Sequence, residues 1–220
     1  MIRQPLGRTI VVCEGASDDA FVRHLIDRRK LGAITVVYPE APEPGGRQGF
    51  GSVLRTLRTL RGFETVTGII ILSDNDADPT GSFSEVQEQI RTADRYGVPS
   101  KPEEWTTGRG TPPIAVYMLP RANVEGDLEQ LCLTAARDQW PNILACADEF
   151  ARCTGAENWP TNKRSKMLLR SVLSAVCRTD PNTSLVYLWS RGSAGADYEI
   201  QLTHRCFDEF VNFLGTVPKR

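Results

Sequence analysis

Apolar positions along the chain follow two spacings. Short unbroken runs rich in β-branched residues read as strands buried on both faces, and apolar residues three and four apart read as helices with one inward stripe. Thr9-Ile10-Val11-Val12-Cys13, Ile34-Thr35-Val36-Val37, Ile69-Ile70-Ile71-Leu72 and Ile114-Ala115-Val116-Tyr117-Met118-Leu119 are of the first kind. Between them, Phe21, Val22, Leu25 and Ile26 mark a helix ending near Leu31-Gly32. Val53, Leu54, Leu57 and Leu60 mark a second, and Phe83, Val86 and Ile90 a third ending near Tyr96-Gly97. This alternation predicts right-handed crossovers, hence an α/β fold with a mainly parallel four-stranded sheet and helices on both sides.

Beyond residue 122 the pattern becomes helical only. One helix opens at Gly126-Asp127-Leu128-Glu129, another runs from about residue 143 to 153, a stronger one covers 162–178, and a last one lies around 207–214 after a short apolar stretch at 185–189. Residues 1–122 are expected to form the α/β core and 123–220 a helical extension packed on it. Residues 39–51, with three prolines and repeated glycines, read as a loop. Its Gly45-Gly46-x-x-Gly49-x-Gly51 run is only a loose match to a phosphate cradle. The polar, Gly- and Pro-rich residues 98–113 read as a second long loop.

Composition changes this picture in three places. A net charge of -1 over 220 residues gives no global positive field, so contact with nucleic acid would need a local basic surface. Candidates are Arg55 and Arg58 on the second helix and Lys163, Arg164, Lys166 and Arg170 on the strong later one, each also readable as a solvated helix face. The six cysteines form no C-x-x-C pair and only two histidines are present, which fits reduced thiols in the cytoplasm and argues against zinc. No apolar run reaches membrane-spanning length, so no membrane association is expected.

The chemistry-bearing stretch is Ser73-Asp74-Asn75-Asp76-Ala77-Asp78-Pro79, directly after the most apolar strand. The carboxyl ends of parallel strands are where open α/β sheets place their sites. Alternation along an extended chain would point Asp74 and Asp76 the same way, with Asp78 either joining them or starting the turn before Pro79. Glu14 ends the first strand in the same manner, ahead of Asp18 at the start of a helix. A strand order of 2-1-3-4 would bring these acids together at the switch point, where hard oxygen donors suit Mg2+ or Mn2+. An Asp- and Asn-rich turn without metal is the plain alternative.

Glu14-Gly15-x-x-Asp18, with Phe21 behind it, and Asp74-x-Asp76-x-Asp78 together resemble the two signature motifs of Toprim domains. The match is closest to the OLD-type nuclease branch and to small stand-alone Toprim-like proteins. Pro120…Gly126-x-Leu128-Glu129 and the helix bearing Lys166 are weaker matches to the same pattern. The resemblance implies a Mg2+- or Mn2+-dependent phosphodiesterase acting on DNA or RNA. Glu14 would be a metal ligand or general acid/base, Asp74 and Asp76 metal ligands, Asp18 a ligand to a second ion, and Lys166 a stabiliser of charge on the phosphate. Glu129 would orient a water or merely begin its helix. The chain lacks a P-loop, a placed topoisomerase tyrosine and a primase zinc module, so a self-contained topoisomerase, primase or ATPase is not expected. Energy coupling of the OLD type would need a separate ATPase subunit, and a homodimer is left open. The rival is a non-catalytic module binding nucleic acid, nucleotide or an ATPase partner. A phosphatase with an Asp-x-Asp nucleophile fits poorly, because the pair follows the third strand and not the first.

Overall fold

The computed structural model describes residues 6–39, 49–177, 180–189 and 199–218. Four strands, β1 (Thr9–Val12), β2 (Ile34–Val37), β3 (Gly68–Asp74) and β4 (Ile114–Leu119), form one sheet in the order β2-β1-β3-β4, and every neighbouring pair is parallel. This is the order that would bring the acids after the first and third strands together, in an all-parallel sheet consistent with a Rossmann-like fold. Successive strand side chains leave opposite faces, and the sheet sorts its residues accordingly. Ile10, Val12, Ile69, Ile71, Ile114, Val116 and Met118 join one core with α2 (Phe50–Leu57) and α3 (Pro79–Thr92). Val11, Ile70, Leu72, Ala115, Tyr117 and Leu119 join the other.

That second face is covered by α1 (Ala16–Arg29) and by the helices that follow the last strand: α4 (Leu128–Gln139), α5 (Pro141–Thr154), α6 (Thr161–Val176), α7 (Leu185–Leu188) and α8 (Asp208–Leu214). Each fully buried aliphatic or aromatic side chain here contributes roughly 1.5–3 kcal/mol relative to exposure. Aromatic contacts fasten the carboxyl-terminal segment. Phe21 of α1 packs against Trp189, Phe207 and Phe210, and Tyr117 of β4 lies 4.8 Å from Phe210 and 5.2 Å from Phe213 between ring centres. Arg29 adds a polar clamp, donating to the Leu202 carbonyl at 2.8 Å, the His204 carbonyl at 3.0 Å and Asp208 at 2.8 Å.

Several boundaries differ from the sequence expectation. α2 begins at Phe50, inside the segment read as loop, and Leu60 lies beyond its end. α3 stops at Thr92, short of Tyr96, because Asp94 and Arg95 take left-handed backbone angles (φ 53° and 66°) that end the helix. Residues 98–113 are anchored along β4: Thr106 and Ile114 exchange backbone hydrogen bonds of 2.9 Å each way, and Glu103 N–H donates to the Val116 carbonyl. This pairing covers an edge that would otherwise expose unpaired backbone groups. The Gly45-Gly46 part of the glycine run lies outside the described residues. Among the described residues, no helix is long and apolar enough to cross a membrane.

Candidate functional site

Strand register brings the first two acidic segments together. β1 and β3 pair with Val12 level with Ile71, so the chain just beyond them carries Glu14 past Ser73. The Ser73 hydroxyl donates to Glu14 Oε2 at 3.0 Å, and the Asp74 backbone N–H lies 3.3 Å from the same oxygen. Asp74 shares parity with Ile70 and Leu72, and therefore faces the side of the sheet covered by the later helices. There its Oδ1 accepts from the Leu128 N–H at 3.1 Å, at the start of α4. Asp18 is almost fully buried in the first turn of α1, where its carboxylate accepts from the Gly15 N–H at 3.0 Å. A carboxylate there also complements the positive end of the helix.

Asp76 departs from the expected alternation. β3 ends at Asp74, and Asp76 sits at φ 49°, so it no longer follows the pleat. Its backbone exchanges two 2.8 Å hydrogen bonds with Gly126, and its Oδ1 accepts from Asn162 Nδ2 at 3.0 Å. Asn75 lies between the two acids, wholly buried, and its amide donates to the Arg121 and Val124 carbonyls at 2.7 Å each. The 121–126 turn is thereby fixed beside the acids. Gly126 has φ 139°, and a Cβ there would run into Gln130, so the position requires glycine. Asp78 is exposed and caps α3 by accepting from the Gly81 N–H at 3.0 Å, with Pro79 in the first turn.

Two further carboxylates join the rim from the helical half. Asp127 is fully buried, caps α4 through the Gln130 N–H at 2.9 Å and accepts from the Ser165 hydroxyl at 2.8 Å. Glu129 follows in the first turn of α4. Opposite them, α6 presents Asn162, Ser165 and Lys166, spaced so that one face of its first turn meets the acids. Lys166 Nζ stands 3.9 Å from Asp127 Oδ2.

The electrostatics are those of too many acids sharing one desolvated rim. Burial first, and then the Glu14 carboxylate, push Asp18 up to about 7 against the lowering effect of its bond to Gly15. Burial again leads for Asp74, reinforced by Asp18, Glu14, Asp127 and Glu129, and holds it well above the usual carboxylate range. Asp127 and Glu129 are raised mainly by burial too, with Lys166 pulling both back. Burial lowers Lys166, but the fields of Glu129, Asp127, Asp74 and Asp76 outweigh it and its pKa ends raised. Such a rim gains from either a retained proton or a cation.

Its donors are all oxygen, the set that suits Mg2+ or Mn2+. Among the described residues, no three His, Cys, Asp or Glu side chains are already gathered to hold an ion.

The other basic candidates scatter. Arg55 donates to the Thr92 carbonyl and Arg58 lies near Tyr96, so both sit where α2 and α3 end, away from the acidic rim. Arg170 is exposed, and its charge reaches Glu129. Lys163 is exposed, whereas Arg164 turns into a separate cleft beside α4. Asp127, Asn162, Ser165 and Asn75 complete the site without having been read as part of it. Asp127 before Leu128 carried a helix-start signal that also marked a buried acid. The polar residues 162, 165 and 166 made a stripe that could have been aligned with the acids.

Neither the curated proteins nor the solved structures contain a match to this chain. Residues 8–217 match the family described as a protein of unknown function (DUF3226), and the chain belongs to that family.

Proposed function

We propose that the protein is a Mg2+- or Mn2+-dependent phosphodiesterase of Toprim type that cuts DNA or RNA at the rim formed by Glu14, Asp18, Asp74 and Asp76. The observation that carries the reading is the convergence of acids from β1, α1, β3 and α4 at the carboxyl end of a parallel sheet, with burial and mutual repulsion raising several of them. A bound divalent ion would supply charge neutralisation at the phosphoryl oxygens and a more acidic water. Glu14 and Asp74 would hold it, with Asp18 alongside. Lys166, kept protonated by its acidic neighbours, would offer a positive charge to a phosphate on the rim. Asn162 and Ser165 orient Asp76 and Asp127 through the bonds described above.

The test is cleavage of single- and double-stranded DNA and RNA with Mg2+ or Mn2+ present. Asp74→Asn and Glu14→Gln are each expected to lower the rate by roughly a hundredfold or more, and Lys166→Met by about tenfold to a hundredfold. Cleavage that persists unchanged in both acid variants would remove the rim from the chemistry. A second reading, a non-catalytic module that binds nucleic acid, nucleotide or an ATPase partner, draws on the carboxylates' local duties: Asp18 and Asp74 both accept backbone N–H groups at helix starts. Calorimetric titration separates the two, since absence of Mg2+ or Mn2+ binding at millimolar concentration favours the module.

A further inference from the structure

A second polar site lies behind the acidic rim. A cleft of about 660 Å³ opens between α4, α6 and the segment around residues 204–206, a size within the range typical of small-ligand pockets. Its walls include Arg121, Arg137, Arg164 and Arg205 against Asp138 and Asp148, an excess of positive charge. Most of these ions already have partners. Arg137 meets Asp148 at 3.1 Å, Arg121 meets Glu209 at 3.1 Å, and Asp138 serves both His204 at 3.0 Å and Arg205 at 3.8 Å. Arg164 has no such carboxylate among the described residues.

The hydrogen-bonding inventory points to the same place. Four buried side-chain polar atoms among the described residues have no hydrogen-bond partner, and three of them belong to residues that line this cleft: Arg164 Nε, Asp148 Oδ1 and Gln130 Oε1, the last packed against Gly126. Native proteins rarely leave such groups unsatisfied, because each carries a desolvation penalty. Arg164 is a cationic donor suited to a phosphate oxygen, and Asp148 an acceptor suited to hydroxyl or amino hydrogens. Leu133 and Leu168 supply apolar wall between them.

We infer that this cleft binds a phosphorylated nucleoside, with Arg164 on the phosphate and Asp148 on hydroxyl or base N–H donors. The site is independent of metal at the rim. The same chemistry is presented by a free nucleotide and by one unit of a nucleic-acid strand.

Binding is measured by calorimetry in EDTA, so that failure of the phosphodiesterase reading leaves the result intact. The probes are the four common 5′-nucleoside monophosphates, the matching nucleosides, inorganic phosphate and short single-stranded oligonucleotides. Saturable binding of a monophosphate below about 1 mM, weakened about tenfold or more in Arg164→Gln and in the matching nucleoside, is the expected result. Arg205→Glu, at the exposed mouth, is expected to weaken binding several-fold without touching the packed interior. Binding of monophosphates identifies a free nucleotide as the ligand, and binding of oligonucleotides alone identifies a strand; both support the site. Absence of saturation by every nucleotide and oligonucleotide up to about 5 mM overturns it. So does equal affinity in wild type and Arg164→Gln, or inorganic phosphate binding as tightly as the monophosphates.

Discussion

The two faces of the sheet carry closely similar strand side chains, but their cover comes from different distances along the chain. α2 and α3 arise between strands and close one face with Phe50, Leu54, Phe83, Val86 and Ile90. The opposite face takes α1 together with helices that follow β4, and Asp74 has the parity of that face. The acids of the first and third strands are therefore completed by Asp127, Glu129 and Lys166, which reach the rim only when the distant helices dock. A face closed by neighbouring chain is a finished apolar layer, whereas the face closed from afar has room for charge at its rim.

Truncation should break this contrast most sharply. Phe21→Ala removes a ring packed on three others across the long-range face and is expected to lower stability by about 3–5 kcal/mol in denaturant unfolding. Hydrogen exchange should then rise selectively in residues 200–214. Leu54→Ala, on the local face, should lower stability by roughly 2–5 kcal/mol without that selective loosening.

A pH effect follows from Asp18. Its folded-state pKa of about 7 exceeds the ordinary aspartate value of 3.8, so the folded chain binds the proton more tightly than the unfolded one. The associated stability is fully present below the ordinary carboxylate range and is lost as pH rises toward about 7. In EDTA, unfolding free energy should fall over that window by at most about 4 kcal/mol, and Asp18→Asn should flatten the profile. Replacing Asp74 by Asn keeps an acceptor for the Leu128 N–H while removing one like charge. It should stabilise the metal-free protein by roughly 1–3 kcal/mol and abolish any rise in Tm on adding Mg2+. The smallest change is expected at Asp78. Asp78→Ala should cost about 1 kcal/mol through loss of the α3 cap, and a simultaneous loss of Mg2+ binding by calorimetry would assign it to the rim.

Much of this architecture is legible in the residues. Unbroken runs such as Ile69-Ile70-Ile71-Leu72 specify strands buried on both sides, and the helices between them impose parallel pairing; the order β2-β1-β3-β4, on which the meeting of Glu14 with Asp74 depends, entered the sequence reading only as a condition. The direction of Asp76 was not legible. Alternation holds only while the chain stays extended, and the Gly126 backbone bridge takes Asp76 out of the pleat. Asp127 was visible as a helix start, but its complete burial depends on Ser165, 38 residues away in the chain. Arg164 illustrates the same limit from the other side: helical periodicity assigns it an edge, and only the packing of α6 beside α4 buries its Nε and sets the residue in the wall of the cleft.

The aromatic fastening of the carboxyl-terminal segment has a practical corollary for dissecting the molecule. A fragment stopped after β4 would keep only α1 over the face formed by Val11, Ile70, Leu72, Ala115, Tyr117 and Leu119, and the oily surface left uncovered makes it a candidate for aggregation and not for autonomous study. Point substitutions in the intact chain are the sound route to separating its parts.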